Sequence, residues 1–297
     1  MSEVDYSVVI PVRNEEDAIG GVLKDIKETM EKLDISYEVI VVDNASTDNT
    51  LSIVEEFGEI RLIKHEIDRG YGNSIKEGVK AARSNIVITT DGDGTYPVRE
   101  IPNLLNYIND YDMVTSARVG KNVSLPLIRR LGKLVHTTLI SLLSGEYVSD
   151  MNSGLRVFKK DVFMKFYHLF PSGFSISTTF LLACLNNGHP VKFIPIDYYP
   201  RKGHSKINIF RDGFNFIVLM LRAITYFNPL RIFLPTGLTF FMMGAFYAVY
   251  SLTYHSSGGF PEISVLLITT SILIALFGLL ADAISKVLMH MKVSEES

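Results

Sequence analysis

From residue 232 to residue 285 the chain carries no lysine or arginine, and the only acids there are Glu262 and Asp282. Residues 232–254 are uncharged and, at about 1.5 Å of rise per residue, long enough to cross a hydrocarbon core of roughly 30 Å. Pro235 falls in the first turn, where a missing N–H breaks no helical bond. Residues 263–281 form a second span of just sufficient length. Either span alone reads equally as a buried core helix. Joined by so short a connector, the two predict a transmembrane hairpin over residues 230–285. The connector holds no lysine or arginine, whereas Arg231 and Lys286 flank the outer ends. The positive-inside rule then puts both termini in the cytoplasm, including a tail over 286–297.

The remainder is charged and periodic in another way. Short β-branched and apolar runs at 6–10, 37–42, 59–64, 85–90 and 113–117 read as strands. Segments with a helical apolar period at 18–33, 46–57 and, after a glycine loop over 70–72, 73–82 separate the first four. Asn14, and then Ser46 or Thr47, are the expected N-caps. Strands alternating with helices predict a doubly wound, mostly parallel α/β sheet. A ligand of such a sheet lies beyond the carboxyl ends of the strands, where strand order reverses. If the fourth strand returns beside the first, residues 11–15, Asp43 and Asp91–Asp93 surround that point. Downstream come an amphipathic helix over 125–144 with Arg129, Arg130 and Lys133 near its start, and a polar loop entering a strand at 156–158. Helices at 161–167 and 178–187 and a strand at 191–199 follow. A basic loop over 201–206 closes a catalytic domain spanning 1–206. Residues 207–229 are apolar and aromatic with sparse charges, which suits a helix lying in a membrane interface.

Asp91-Gly92-Asp93 follows the fourth strand directly, with Gly94 and Pro97 turning the chain. In extended backbone, positions two apart face the same way. Two carboxylates so placed repel unless a cation lies between them. Mg²⁺ favours a few carboxylates plus the oxygens of a phosphate substrate. A clamp for a metal and a diphosphate fits the pair; so does a polar turn in which Asp and Gly serve backbone geometry. A calcium loop of the EF-hand type fits badly, because Thr95 takes the third ligand position and Pro102 the place of the bidentate glutamate. Asp43 likewise either accepts hydrogen bonds from a base or ribose or merely opens its turn.

Other classes lack their marks. Gly70-Tyr71-Gly72 does not continue to a third glycine at Ile75, and no P-loop occurs, which argues against dinucleotide dehydrogenases and P-loop NTPases. A net charge of −3 offers no basic field for nucleic acid. The single cysteine, Cys184, excludes an internal disulfide and suits a reducing compartment. The N-terminus runs from Met1 through acids into a strand, without the pattern of a signal peptide.

Taken together, Val9-Ile10-Pro11 with Asn14-Glu15, Val41-Val42-Asp43 with Ser46 and Asp48, and Asp91-Gly92-Asp93 resemble the GT-A fold of family 2 inverting glycosyltransferases over roughly residues 5–210. Ser116-Ala117-Arg118, Pro126 with Arg129, Asn152-Ser153-Gly154 with Arg156, and Arg201, Gly203, Ser205 and Lys206 are similar to motifs of the polyprenyl-phosphate glycosyltransferases, of which the dolichol-phosphate mannose synthases are the best known. The resemblance implies a nucleotide-sugar donor held by Pro11, Arg13, Glu15, Asp43, Asp91 and Gly92. It implies a divalent cation, Mg²⁺ or Mn²⁺, at Asp91 and Asp93, and an acceptor phosphate among Arg118, Arg129, Arg201, Ser205 and Lys206. The mannose synthases often follow the acidic pair with Leu-Gln, whereas Gly94-Thr95 stand here. Thr95 offers a hydroxyl to the metal, and the donor is left as GDP-mannose, UDP-glucose or a UDP-N-acetylhexosamine. The Gln-x-x-Arg-Trp motif of processive synthases is missing, since the chain has no tryptophan.

The implied reaction is transfer of the sugar, with inversion, to a dolichyl or undecaprenyl phosphate. It places a multi-pass protein in a prokaryotic plasma membrane, catalytic domain in the cytoplasm, with a homo-oligomer left open. Asp150 reads as a base or as the cap of the loop before Asn152. Arg130 and Arg156 read as solvated charges or carboxylate partners. Two alternatives remain at this level: a membrane transferase with a glycan or protein hydroxyl as acceptor, and a non-catalytic protein that binds lipid phosphate.

Overall fold

The structure is a computed structural model that describes residues 4–123, 141, 147–173, 175–200, 229–254 and 261–293. The chain divides into two compact units, residues 1–216 and 217–297.

The first unit is built on β1 (Tyr6–Val12), β2 (Tyr37–Asn44), β3 (Ile60–His65), β4 (Ile86–Thr89), β5 (Met113–Val123), β6 (Arg156–Lys159) and β7 (Val191–Tyr198). They form one sheet in the order β3-β2-β1-β4-β6-β5-β7. β1 pairs in parallel with β2 and with β4, so the winding reverses between β1 and β4 as expected. β6 runs antiparallel to both β4 and β5, which makes the sheet mixed, while β5 and β7 are again parallel. β1 is buried on both faces, and its apolar run has no polar alternation, as a strand covered on two sides requires.

Helix α1 (Ile19–Glu31) buries Ile19, Val22, Leu23, Ile26 and Met30, a single stripe of helical spacing. These side chains join Val8, Ile10, Val41, Ile88, Val114 and Val157 in one core. Each fully buried aliphatic side chain there contributes about 1.5–3 kcal/mol. The cap expectations change. Asn14 does not begin α1: its φ is +54°, and its side-chain oxygen accepts the Thr47 amide at 2.8 Å. Ser46 in turn accepts the Asn14 amide at 3.0 Å. Asn14, Ser46 and Thr47 therefore knit two loops together instead of capping helices. The second helix starts only at Thr50, whose amide donates to Asp48 Oδ1 at 3.0 Å. A 3-10 turn, Val98–Glu100, and a short helix, Ile101–Leu105, form where the sequence offered only prolines and a turn.

The second unit holds two long helices, Leu230–Tyr254 and Glu262–Val293. The latter contains the expected 263–281 span and continues well past it. Both are long and apolar enough to cross a membrane. They pack through small residues. A Cβ on Gly244 would lie 3.0 Å from Leu267 and Ile268, and one on Gly278 would lie 2.5 Å from Phe233, so glycine there permits close approach of the backbones. The outer faces carry Phe246, Leu266 and Phe277, all exposed. The expected helices over 125–144 and 207–229 lie outside the described residues but for residues 141 and 229.

Candidate active site

β4 ends at Thr89, and the Thr90 amide adds one further bond to the Val9 carbonyl. Asp91, Gly92 and Asp93 therefore sit in the turn beyond the strand, not on it. Period-two alternation does not orient them; local bonds do. Asp93 Oδ1 accepts both the Thr95 amide at 3.1 Å and the Thr95 hydroxyl at 2.7 Å, a turn closed by its own aspartate. A Cβ on Gly92 would lie 2.7 Å from Val12, so only glycine fits between the two acids. Asp91 Oδ1 accepts the Tyr71 hydroxyl at 2.8 Å. Its Oδ2 faces Gly154, where a Cβ would come within 2.6 Å.

The loop bearing Gly154 is held from several sides. The Gly154 amide donates to the Tyr96 hydroxyl at 2.8 Å, and its carbonyl accepts from Thr89 Oγ1 at 3.1 Å. Arg156 is 3% exposed. Its guanidinium donates to the carbonyls of Ser153, Ser177 and Met151 at 2.8, 2.6 and 2.8 Å. It is thus neither a solvated charge nor, among the bonds described, a carboxylate's partner. It is the internal strut of this loop. Burial pulls the Arg156 guanidinium below the ordinary arginine range, against the pull of Tyr71, Tyr96 and Asp150.

Asp150 is 1% exposed. Its Oδ2 accepts from Arg118 Nε at 2.7 Å and from the Arg118 amide at 3.0 Å, and its Oδ1 from Arg118 Nη2 at 2.9 Å. The Asn152 amide also reaches Oδ1 at 3.2 Å, the capping bond that the sequence allowed. The Arg118 guanidinium lies over the Tyr198 ring, 5.2 Å from its centre. Burial would weaken its hold on a proton, yet Tyr96 and Asp150 raise it well above the ordinary arginine range. Arg118 thus keeps its charge midway along β5, where the pairing with β7 shifts register.

On the other side of β1 lie the residues expected to hold a nucleotide. Pro11 is buried in β1, and the Glu15 amide donates to Thr50 Oγ1 at 2.8 Å. Arg13 pairs with Asp68, which also accepts Asn44 Nδ2 at 2.6 Å and the Gly70 amide at 2.9 Å. Burial would raise the Asp68 carboxyl, but Gly70, Asn44 and Arg13 outweigh it and hold the group below the usual range. Asp43 is 1% exposed at the end of β2. Its Oδ2 accepts the Ser46 amide at 3.1 Å, so it does open its turn. Its Oδ1 is buried and, among the described residues, meets no donor. Such an oxygen is expensive to leave unsatisfied, and a ligand N–H or O–H would complete it.

Among the described residues no cluster of three or more His, Cys, Asp or Glu could enclose an ion. Two carboxylates, one oriented by Thr95 and one by Tyr71, instead fit a hard cation that takes its remaining oxygens from a phosphate. Arg129, Arg130, Arg201, Ser205 and Lys206 lie outside the described residues. Tyr71, Tyr96 and Asp68 were not singled out from the sequence as site residues, and Gly154 was quoted in a motif but given no role. The available signal for Tyr71 was its place between Gly70 and Gly72.

Comparison with known proteins bears on the family and the fold. The curated "Dolichyl-phosphate hexose transferase" of Haloferax volcanii is 34% identical over 211 residues, 70% of this chain and 89% of that protein. The "Undecaprenyl-phosphate 4-deoxy-4-formamido-L-arabinose transferase" of Edwardsiella ictaluri is 28% identical over 253 residues, 82% of this chain and 74% of that one. Among solved structures, glucosyl-3-phosphoglycerate synthase from Mycobacterium tuberculosis, in complex with Mn²⁺, UDP and phosphoglyceric acid, is similar with a TM-score of 0.60 at 21% identity, covering 74% of this chain and 78% of that chain. That likeness is one of fold, and it bears out the GT-A architecture. The profile of the GtrB C-terminal hairpin matches residues 228–287. The profile of Glycosyl transferase family 2 matches residues 7–166, more than half of the chain, and the chain belongs to that family of glycosyltransferases.

Proposed function

We propose that the protein transfers a sugar from a nucleotide-sugar donor to a polyprenyl phosphate, with inversion, on the cytoplasmic face of a membrane. The observation that carries the reading is the set of acids at the β1/β4 switch point: Asp43 with a buried oxygen awaiting a donor, and Asp91 and Asp93 oriented by Tyr71 and Thr95. The relatives' acceptors, dolichyl and undecaprenyl phosphates, support the lipid half of it.

The nucleoside lies against Pro11, Arg13 and Glu15, and Asp43 Oδ1 accepts one of its N–H or O–H groups. The diphosphate meets Asp91, Gly92 and Asp93, with Thr95 beside them. A divalent cation, Mg²⁺ or Mn²⁺, held by Asp91 and Asp93 would neutralise the diphosphate and favour its departure. Arg118, joined by Arg129, Arg201, Ser205 and Lys206, holds the acceptor phosphate with charge-assisted bonds. A phosphate monoester is already anionic near neutral pH, its second pKa being about 6. Its oxygen forms the new bond to the anomeric carbon while the bond to the diphosphate breaks on the opposite side. The electron pair leaves with the nucleoside diphosphate, and no proton need move.

This feature separates the reading from transfer to a hydroxyl, which needs a base. The base that the sequence offered is Asp150, and both of its oxygens are engaged by Arg118. An anionic acceptor therefore suits the site better.

The test is a panel of labelled nucleotide sugars offered to the purified chain with Mg²⁺ or Mn²⁺ and either a polyprenyl phosphate or hydroxyl acceptors. A labelled lipid phosphodiester is expected. Label that reaches only a hydroxyl acceptor, or that never leaves the donor, would overturn the proposal. Topology has its own test. Tyr254→Cys, at an exposed helix end, should react with an impermeant thiol reagent from outside the cell, and Lys24→Cys on α1 should not. The native Cys184 is buried and adds little background.

A further inference from the structure

Tyr71 stands between two glycines whose shape is set by another loop. A Cβ on Gly70 would lie 2.5 Å from the Ser172 carbonyl oxygen, and one on Gly72 would lie 2.2 Å from that of Pro171. The Gly72 amide donates to the Ser172 carbonyl at 2.7 Å. Gly70 also has a φ of +87°, a conformation that favours glycine. Residues 171–173 thus press directly on the start of the helix Tyr71–Ala81 and fix where its first side chain points. That side chain puts its hydroxyl 2.8 Å from Asp91 Oδ1.

Asp91 is confined on its other side by Gly154, itself fastened by Tyr96 and Thr89. The carboxylate therefore has a hydroxyl donor at one oxygen and a glycine backbone packed against the other. These two neighbours constrain its orientation before any ligand arrives. We infer that Tyr71 is a positioning residue for the cation: through its bond to Oδ1 it sets the angle at which Asp91 presents its oxygens to a divalent metal ion. The inference rests on the reading of Asp91 and Asp93 as a metal and diphosphate clamp. Groups that orient metal-binding carboxylates, when removed, weaken metal affinity by about ten- to a hundredfold.

The experiment measures Mn²⁺ binding to the full-length chain in detergent, by the electron paramagnetic resonance of free Mn²⁺. It is run with whichever of UDP or GDP the chain binds in EDTA. Tyr71→Phe keeps the ring and removes the donor. It should weaken Mn²⁺ binding by about ten- to a hundredfold, while nucleotide affinity in EDTA and the melting temperature stay as in the parent. Placing 4-aminophenylalanine at position 71 restores a donor and should recover most of the loss, which a space-filling role would not. If Tyr71→Phe fails to fold, 4-methylphenylalanine against 4-aminophenylalanine at the same position gives the same contrast at constant size. Asp93→Asn is the control. If it abolishes Mn²⁺ binding while Tyr71→Phe binds Mn²⁺ like the parent, the role given to Tyr71 is wrong and the clamp stands. If Asp93→Asn also binds like the parent, the clamp is wrong and the role of Tyr71 falls with it.

Discussion

At the amino edge of the sheet, Glu38 accepts from the Ser7 hydroxyl at 2.7 Å and from the amide and Nε of Arg83 at 2.6 and 2.9 Å. Asp112, at the same edge, accepts from Lys159 at 2.8 Å and from His189 at 2.6 Å. At the carboxyl edge, Asp43 keeps a buried oxygen without a donor among the described residues, and the bonds described for Asp91 and Asp93 come from Tyr71 and Thr95. One residue type thus has two fates on one scaffold. Acids at the amino edge are matched to cationic side chains and serve the fold. At the carboxyl edge Asp68 and Asp150 hold arginines too, whereas the bonds described for Asp43, Asp91 and Asp93 come from hydroxyls and amides, which fix direction. Stability and ligand affinity can therefore be altered separately, one edge at a time.

The largest effect expected is at Asp93. Asp93→Asn keeps the shape and the Thr95 bonds while removing half of the paired charge. Electrostatic stabilisation of a leaving diphosphate is worth several kcal/mol, so turnover should fall about a thousandfold or more. The melting temperature should hold or rise, because a repulsion has been removed. Excess EDTA should reproduce the loss in the parent chain. Full turnover in EDTA would remove the carboxyl edge from the metal reading altogether.

Asp150 is where the comparison is most exposed, because it is an acid at the carboxyl edge that does hold a cationic side chain. The pair is nearly dry, with side-chain exposures of 17% for Arg118 and 1% for Asp150. Removing one partner of such a pair strands the other and costs about 3 kcal/mol. Asp150→Asn should therefore lower stability. It should also lower kcat/KM for polyprenyl phosphate, because Arg118 loses its orientation, while nucleotide-sugar affinity is retained. Adding Arg118→Gln should recover part of the stability and none of the acceptor use. If the double variant recovered acceptor use as well, Arg118 would not hold the phosphate.

The contrast between the edges also shows how far the sequence could be read. β1, β2, β3 and β4 are local objects: β-branched runs whose partners follow at regular intervals, so their existence and the reversal at β4 were both legible. The direction of β6 was not, because Arg156–Lys159 looks the same in either orientation and its antiparallel pairing is set by where a remote loop delivers it. Asp43, Asp91 and Asp93 stood out because turns concentrate Asp and Gly. Arg156 was misjudged for the opposite reason. An arginine that spends its donors on three carbonyls of its own loop and of Ser177 has no partner that the sequence can reveal. Tyr71 was passed over because the glycines around it were judged by the motif they failed to complete, not by the backbone that presses against them.

The smallest effect expected is at Glu38, and it tests the amino edge in isolation. The Glu38 side chain is 5% exposed, whereas its partner Arg83 is 55% exposed. Burial would raise the Glu38 carboxyl, but the bonds from Ser7 and Arg83 outweigh it and hold the group below the usual glutamate range. A carboxyl depressed in the folded state adds stability that is complete above the ordinary glutamate value of about 4.3 and is lost as the pH falls through the depressed one. Hydrogen bonds to a charged group are worth roughly 1.5–3 kcal/mol, and solvent around Arg83 reduces that to about 1 kcal/mol. Glu38→Gln should therefore lower the stability of the first unit by about that amount at pH 7. The gap to the parent should stay constant down to about pH 5 and close below about pH 4. Acceptor and donor kinetics should not change, since the bonds described for Glu38 go to Ser7 and Arg83 and not to the switch point. Thermal unfolding of both chains in detergent across that pH range measures the gap. A gap that widens on acidification, or a loss of turnover in a fully folded variant, would show that the two edges are not independent.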